Sequence, residues 1–255
     1  MLKIGEVTEW LIRIISRTET LLAPRSSSCL VCGGRRASGT IRLPVCRRCY
    51  ELIPWIHAVR CDRCGRHVEC PDCPRRKSTY FTQNRSVVRY DEHMKEWLAL
   101  YKYRGKESLA RVLGPMLLHA YHLHHKGKAR SDAAEWITYV PLSAQRYAER
   151  GFNQAEQMAR ELGRLTGIPV ISLLTRARHT DKQSFKARAD RLDDMAGVFV
   201  PDLSQIAPIA SACRKGRVRL YLVDDVYTTG STFNECARTI RTILPVHVYG
   251  VSWAR

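Results

Sequence analysis

The sequence predicts an α/β protein with a mainly parallel sheet, preceded by a small N-terminal module rich in cysteine. After residue 79, short apolar segments typical of strands alternate with amphipathic helical segments, a pattern that implies parallel strands with right-handed crossovers. Eight of the ten cysteines lie between residues 29 and 73. A chain of 255 residues, 45% of them hydrophobic, is long enough for one such sheet domain and a small module.

We expect three regions along the chain. Residues 1–24 predict an amphipathic helix because their apolar side chains follow helical spacing. Residues 25–78 form the cysteine module, and residues 79–255 form the sheet domain. No apolar stretch approaches the roughly 20 residues that a membrane span needs, and the N-terminal run lacks the cleavage site of a signal peptide. The sequence therefore predicts a cytoplasmic protein with reduced cysteines.

The segment 219–232, RLYLVDDVYTTGST, is the most informative part of the sequence. A hydrophobic strand ends in two carboxylates, and a small-residue loop and a predicted helix over 233–244 follow. The N–H groups of such a loop and the positive end of the helix favour an anion, and carboxylates at the strand end can accept hydrogen bonds from sugar hydroxyls. The segment predicts a ribose 5-phosphate site formed by Asp224, Asp225, Thr228, Thr229, Gly230, Ser231 and Thr232.

Two other interpretations of this segment are weaker. A Walker B strand would need a partner G-x-x-x-x-G-K-[ST] loop, and the sequence contains none. A turn followed by an N-capped helix needs only one hydroxyl residue. It leaves the acidic pair unexplained.

The eight clustered cysteines form four C-x-x-C pairs, each of which can present two thiolates to one tetrahedral zinc ion. We favour sequential grouping, although a crossed grouping stays open. A redox C-x-x-C motif would be a single pair beside a βαβ pattern, not four pairs in a row. The sequence thus predicts two structural Zn²⁺ ions, held by Cys29, Cys32, Cys46 and Cys49 and by Cys61, Cys64, Cys70 and Cys73.

The net charge of +18 favours a polyanionic partner, above all nucleic acid. Many arginines flank the cysteine pairs, and two explanations for them stay open. They offset the charge of the thiolates, or they form a nucleic-acid face with Tyr50, Trp55 and Tyr80 as stacking residues.

Polar residues also follow the predicted strand at 136–142. Because ligands bind at the carboxyl ends of parallel strands, the segment 145–154 supplies candidates for the pyrophosphate side of the same site: Arg146, Arg150, Asn153 and Gln154. The basic segment 102–106 either holds phosphate or forms a solvated helix junction. The polar stretch 176–194 is typical of a lid over a ligand.

Four histidines, His119, His122, His124 and His125, lie near the end of a predicted helix. Imidazoles suit the negative end of a helix dipole. We favour that explanation over a metal site.

These motifs, in this order and spacing, resemble the ComF family of competence proteins over residues 28–255. VDDVYTTGST is similar to the ribose-phosphate signature of type I phosphoribosyltransferases, and VPLSAQRYAERGFNQ, KYRGK and the C-x-x-C pairs match the rest of the family pattern. The resemblance implies a type I phosphoribosyltransferase fold that binds phosphoribosyl diphosphate with Mg²⁺. It also implies a role in taking up single-stranded DNA beside a competence helicase.

Three functions follow from this resemblance and from the residues. The first is a DNA-uptake protein, whose zinc module sets it apart from salvage enzymes. The second is an active phosphoribosyltransferase of nucleotide salvage or synthesis, in which Arg146 or Arg150 would stabilise departing pyrophosphate. No residue identifies an acceptor base. The third is a structural zinc adaptor, which would leave the segment 224–232 without a role.

Overall fold

A computed structural model describes residues 28–36, 43–76, 78–126, 132–177 and 197–255. The chain forms two compact units, Met1–Glu51 and Leu52–Arg255. This division differs from the boundary that the sequence suggests after residue 78, because the second set of C-x-x-C pairs belongs to the larger unit. The predicted N-terminal helix over 1–24 lies outside the described residues, as does nearly all of the predicted lid.

The described part of the smaller unit is a cysteine turn followed by a short helix. A single bridge joins Ser28 to Arg35 across the turn, and the N–H of Leu30 donates to the carbonyl of Pro44 at 3.0 Å. Helix α1, Arg47–Glu51, follows.

The larger unit alternates strands and helices as the sequence predicts. Its elements in chain order are β1 (Gln83–Val88), α2 (Glu92–Tyr103), a 3₁₀ turn (Glu107–Leu109), α3 (Ala110–His125), β2 (Ala134–Tyr139), α4 (Ala144–Arg150), α5 (Gln154–Thr166), β3 (Leu174–Arg176), β4 (Phe199–Pro201), a second 3₁₀ turn (Leu203–Gln205), α6 (Ala207–Lys215), β5 (Val218–Val226), α7 (Ser231–Arg241) and β6 (His247–Ala254).

The central sheet has four parallel strands in the order β1-β6-β5-β2. This confirms the predicted fold class. In register, Ser86 lies beside Ser252, and Trp136 lies beside Leu220. Because all four strands run in the same direction, their carboxyl ends meet at one edge, where a ligand site is expected.

Helices α3 and α5 cover one face of the sheet, with α3 against β1 and β6 and α5 against β2 and β5. The other face carries α7 together with the β3–β4 ribbon. Side chains alternate along β5: Tyr221 packs against His124 of α3, while Leu220 and Leu222 join the buried cluster that contains Phe233 of α7. In the part of the chain that the structure describes, no helix has the length and apolar character of a membrane span.

One predicted strand takes a different form. Residues 169–173 make a single bridge to the sheet, between Val170 and Ile137. The next three residues, Leu174–Arg176, instead pair antiparallel with Phe199–Pro201. A partner so distant in sequence leaves no trace in local hydrophobic periodicity.

Candidate functional site

Two buried carboxylates end strand β5. Asp224 and Asp225 are both buried. The Asp224 carboxylate accepts a hydrogen bond from the backbone N–H of Asp225 at 2.8 Å. The Asp225 carboxylate accepts one from the Gln154 amide at 2.8 Å and forms an ion pair with Lys102. Residues from α2, α5 and β5 therefore converge on one carboxylate at the end of the sheet.

The two carboxyl groups differ in pKa. Burial and the adjacent charge of Asp225 raise the pKa of Asp224 well above its ordinary value. Burial alone would also raise the pKa of Asp225, but the Lys102 ammonium and the Gln154 amide lower it below the ordinary value. The two groups are therefore shifted in opposite directions, Asp224 toward the protonated form and Asp225 toward the ionised form. Such a pair accepts and donates hydrogen bonds, as recognition of neighbouring hydroxyls requires.

The small-residue loop, residues 228–232, follows β5 and leads into α7. Gly230 has φ +79°, and a Cβ at this position would lie 2.1 Å from the Tyr227 hydroxyl oxygen. Only glycine fits this turn without strain. The hydroxyl oxygens of Thr229 and Ser231 lie 2.7 Å apart, while Thr228 is exposed and Thr232 is half-buried.

Arg76, which is distant in the sequence, is hydrogen-bonded to this loop. The Arg76 guanidinium donates hydrogen bonds to the backbone carbonyls of Thr229 and Gly230. These two bonds fix the loop in front of the N-terminus of α7, where the N–H groups of a helix favour an anion. Nothing local in the sequence indicates this role for Arg76.

The segment between β2 and α5 brings three of its four predicted site residues to this edge of the sheet. Arg146 and Arg150 line a cavity of about 270 Å³ together with Lys102. Gln154 contacts Asp225 and also accepts a hydrogen bond from Arg150.

The fourth predicted residue, Asn153, is occupied by the backbone. Its side-chain oxygen caps α5 by accepting from the N–H of Ala155 at 3.0 Å, and its amide donates to the carbonyl of Val140 at 3.1 Å. Asn153 therefore anchors α5 to the end of β2.

Sequence reasoning does not predict the contact between Lys102 and Asp225, although the basic segment 102–106 makes Lys102 a phosphate candidate.

The first cysteine group consists of Cys29, Cys32, Cys46 and Cys49, whose sulfur atoms lie within 4.8 Å of one another. The N–H of Gly33, at φ +75°, donates to the carbonyl of Cys29 at 2.9 Å and closes the turn. A second pair at the start of α1 completes the group.

The second cysteine group consists of Cys61, Cys64, Cys70 and Cys73, with the same 4.8 Å limit between sulfur atoms. Its first turn uses Gly65, at φ +76°, where a Cβ would lie 2.5 Å from the carbonyl oxygen of Asn84. The Asn84 amide and the Arg255 guanidinium both donate to the carbonyl of Cys64, at 3.2 Å and 2.9 Å. Strands β1 and β6 thereby hold this turn.

Both groups fit a tetrahedral metal ion by donor chemistry, and their grouping is sequential along the chain. Burial raises the pKa of Cys49, and the adjacent sulfur atoms raise it further. Burial acts in the same direction on Cys29, but hydrogen bonds from neighbouring residues lower its pKa to about 7. Four sulfur atoms this close do not all ionise without a cation between them. Two thiolate pairs around Zn²⁺ would satisfy them.

Some of the other sequence candidates have structural partners. Among the flanking arginines, Arg47 pairs with Glu51, and Arg66 pairs with Asp72 at 2.8 Å. Trp55 is half-buried against His119.

The histidine cluster is structural within the described residues. The buried ring of His124 bonds to the Gln83 amide and the Gly250 carbonyl, both at 2.9 Å. Of the residues that the structure describes, only the two cysteine groups gather three or more potential metal ligands.

These features define the class as an α/β protein with a parallel sheet, a carboxylate pair and small-residue loop at one strand end, and two four-cysteine groups. Competence protein ComFC of Bacillus subtilis is 31% identical to this chain over 205 residues, which is 77% of each protein. Competence protein F of Haemophilus influenzae is 27% identical over 222 residues, covering 82% of this chain and 89% of the relative. DNA utilization protein YhgH of Escherichia coli is 28% identical over 186 residues, covering 71% and 77%.

No family model matches the sequence. The identity to the Bacillus subtilis protein, over three quarters of both chains, is high enough to assign the family. The chain belongs to the ComF family.

Proposed function

We propose that this protein assists the uptake of single-stranded DNA in natural transformation. The names of its relatives, competence protein and DNA utilization protein, support this role. The net charge of +18 supports a nucleic-acid partner. A competence helicase is a suitable protein partner, because it would deliver the single strand on the cytoplasmic side.

The carboxyl end of β5 would bind a ribose 5-phosphate group, as in phosphoribosyl diphosphate. The observation that carries this proposal is the arrangement of Asp224 and Asp225 directly before a glycine-dependent loop at a helix N-terminus. The carboxyl pair would bind the ribose hydroxyls, and the 228–232 loop would bind the phosphate. Arg146 and Arg150, which line the adjacent cavity, would face the pyrophosphate.

Metal ions would have two separate roles. Mg²⁺ would arrive with the diphosphate, whose oxygens are the ligands that it prefers. Zn²⁺ would occupy each cysteine group and stabilise the fold around it. Lys102 balances the charge of Asp225 and Gln154 donates a hydrogen bond to it, so this buried carboxylate does not need a metal ion to offset its charge.

Calorimetric titration with phosphoribosyl diphosphate and Mg²⁺ tests the site. Asp225→Asn should weaken binding by about 10-fold or more, because it removes a charge-assisted acceptor of ribose hydroxyls. The exposed Asp62→Asn serves as the control and should bind as the wild type does. Equal affinity of Asp225→Asn and wild type, with both folded, would refute the assignment.

The same titration separates binding from catalysis. An active phosphoribosyltransferase, the alternative function, would release pyrophosphate when a nucleobase is added. Binding without such release would favour the DNA-uptake role. Turnover with any base would replace the DNA-uptake proposal with the enzymatic one.

A further inference from the structure

Two exposed tyrosines stand beside the strand-end site. Tyr103 ends α2 and is 65% exposed, and Tyr147 in α4 is 51% exposed. Single exposed rings are common on protein surfaces, so it is the charged side chains around these two that indicate a binding surface. The sequence did not single out either ring, because each lies among charged residues rather than in an apolar pattern.

An arginine connects the two rings. The Arg150 guanidinium stacks on the Tyr103 ring, with its central carbon 5.2 Å from the ring centroid. Tyr147 lies three residues before Arg150 in the same helix, so the two side chains are neighbours on its surface. One face of the Tyr103 ring is therefore covered by a cation, and the residue as a whole is still largely exposed.

The surroundings of the rings are basic. We define the basic rim as four side chains that line the cavity of about 270 Å³, Lys102, Tyr103, Arg146 and Arg150, together with three exposed sequence neighbours, Arg104, Lys106 and Tyr147. The rim holds five cations, against the two carboxylates of Glu107 and Glu149, which also line the cavity. Rings interleaved with cations are the pattern of a surface that binds single strands, because bases stack on the rings and phosphates pair with the cations.

Arg150 also carries an unmet hydrogen-bonding group. Its Nε is buried and has no hydrogen-bond partner among the described residues. Another of its guanidinium nitrogens donates to Gln154, which in turn contacts Asp225. A strand lying on the rim would thus be next to the carboxyl end of β5.

We propose that the basic rim is the binding surface for single-stranded nucleic acid, with Tyr103 and Tyr147 as stacking platforms. This proposal rests on the proposed DNA-uptake function and moves the main contact away from the cysteine module. The stacking candidates of that module offer less open surface: Trp55 and Tyr80 are half-buried, and Tyr50 is 39% exposed. An exposed ring accepts any base, so the surface selects single strands without selecting a sequence.

The test measures the affinity of the full chain for a fluorescent oligothymidylate of about 15 nucleotides. Tyr103→Ala and Tyr147→Ala should each lower the affinity by about 5-fold or more, the loss expected for one stacked base. Tyr103→Phe and Tyr147→Phe should bind as the wild type does, because they keep the ring. The slope of affinity against salt should stay the same, since no charge is removed.

The matched control is Tyr50→Ala, an exposed tyrosine of the smaller unit. We expect wild-type affinity for this variant. A loss confined to Tyr50→Ala would place the strand on the cysteine module and overturn the proposal, as would wild-type affinity in both rim variants. Phe variants as weak as the Ala variants would also overturn it, because stacking would then not explain the loss.

Two further measurements separate this proposal from the proposed phosphate site. Phosphoribosyl diphosphate should bind equally to wild type and Tyr147→Ala, since Tyr147 belongs neither to the 228–232 loop nor to the lining of the cavity beside it. Weak DNA binding by the Ala variants would support the rim even if wild type failed to bind phosphoribosyl diphosphate. Polyglutamate binding as tight as oligothymidylate binding would instead mark the rim as a contact for an acidic protein and refute the proposal.

Discussion

Replacing Asp224 by Asn should stabilise the unliganded protein at neutral pH. Burial and the charge of Asp225 raise the pKa of Asp224 to about 8, whereas an unfolded aspartate titrates near its ordinary value of about 3.9. Between these values the folded protein holds a proton that the unfolded chain has released. The free energy of unfolding therefore falls as pH rises through this window.

The magnitude follows from the linkage between proton binding and stability. One group contributes at most about 1.4 kcal/mol per pH unit, so wild type loses up to roughly 2.7 kcal/mol from Asp224 between about pH 5 and pH 7. Asn does not titrate, and its side-chain oxygen can still accept the N–H of Asp225. Because the pKa of Asp225 is lowered, that group stays ionised in both states across the window and adds no slope.

Urea unfolding at about pH 5, 6 and 7, with zinc present, measures the difference in the free energy of unfolding between wild type and Asp224→Asn. The advantage of the variant should grow with pH by on the order of 1 to 3 kcal/mol in total. A difference between wild type and Asp224→Asn that does not change with pH would show that Asp224 is ionised in the folded protein, and a variant less stable than wild type at about pH 7 would refute the predicted stabilisation.

Two other predictions concern the metal groups and the loop. Metal analysis should find about two zinc ions per chain. A wild-type content near one would leave only one group as a complete site. Cys29→Ser should lose one zinc ion and unfold the smaller unit, while Leu52–Arg255 keeps its circular dichroism. Gly230→Ala should lower the free energy of unfolding by about 2 to 4 kcal/mol, since backbone strain adds to the clash with Tyr227. Gly167→Ala, with similar positive φ but open space around it, should lose only about 1 kcal/mol. Equal losses in the two glycine variants would mean that the loop readily moves away from Tyr227.

The sequence predicts the fold well where local pattern decides the structure. The strand before Asp224, the helix after the small-residue loop and the parallel arrangement all follow from hydrophobic periodicity and from the order of elements. Glycine at position 230 and the C-x-x-C spacing are also local features, and the structure places both in the turns that such residues form.

The parts that sequence reasoning missed depend on contacts between distant residues. Lys102 meets Asp225 across 123 positions, and Arg76 reaches the loop carbonyls across more than 150. Periodicity carries no information on such pairs, because the sheet order alone decides which loops share an edge. The exposure of a side chain cannot be predicted from local pattern for the same reason. No such pattern distinguishes the exposed ring of Tyr103 from the half-buried ring of Trp55.

The division of the chain after Glu51 gives the two cysteine groups different structural roles. The first group closes a turn within the smaller unit. The second group lies in the same unit as the strand-end site. Arg255 and Asn84 donate hydrogen bonds to the carbonyl of Cys64. Arg76, which follows Cys73 by three residues, donates to the small-residue loop. A metal ion in the second group would thus fix the position from which Arg76 reaches the loop. The cysteine pairs of this chain are therefore not a uniform module, because the second group is built into the support of the 228–232 loop.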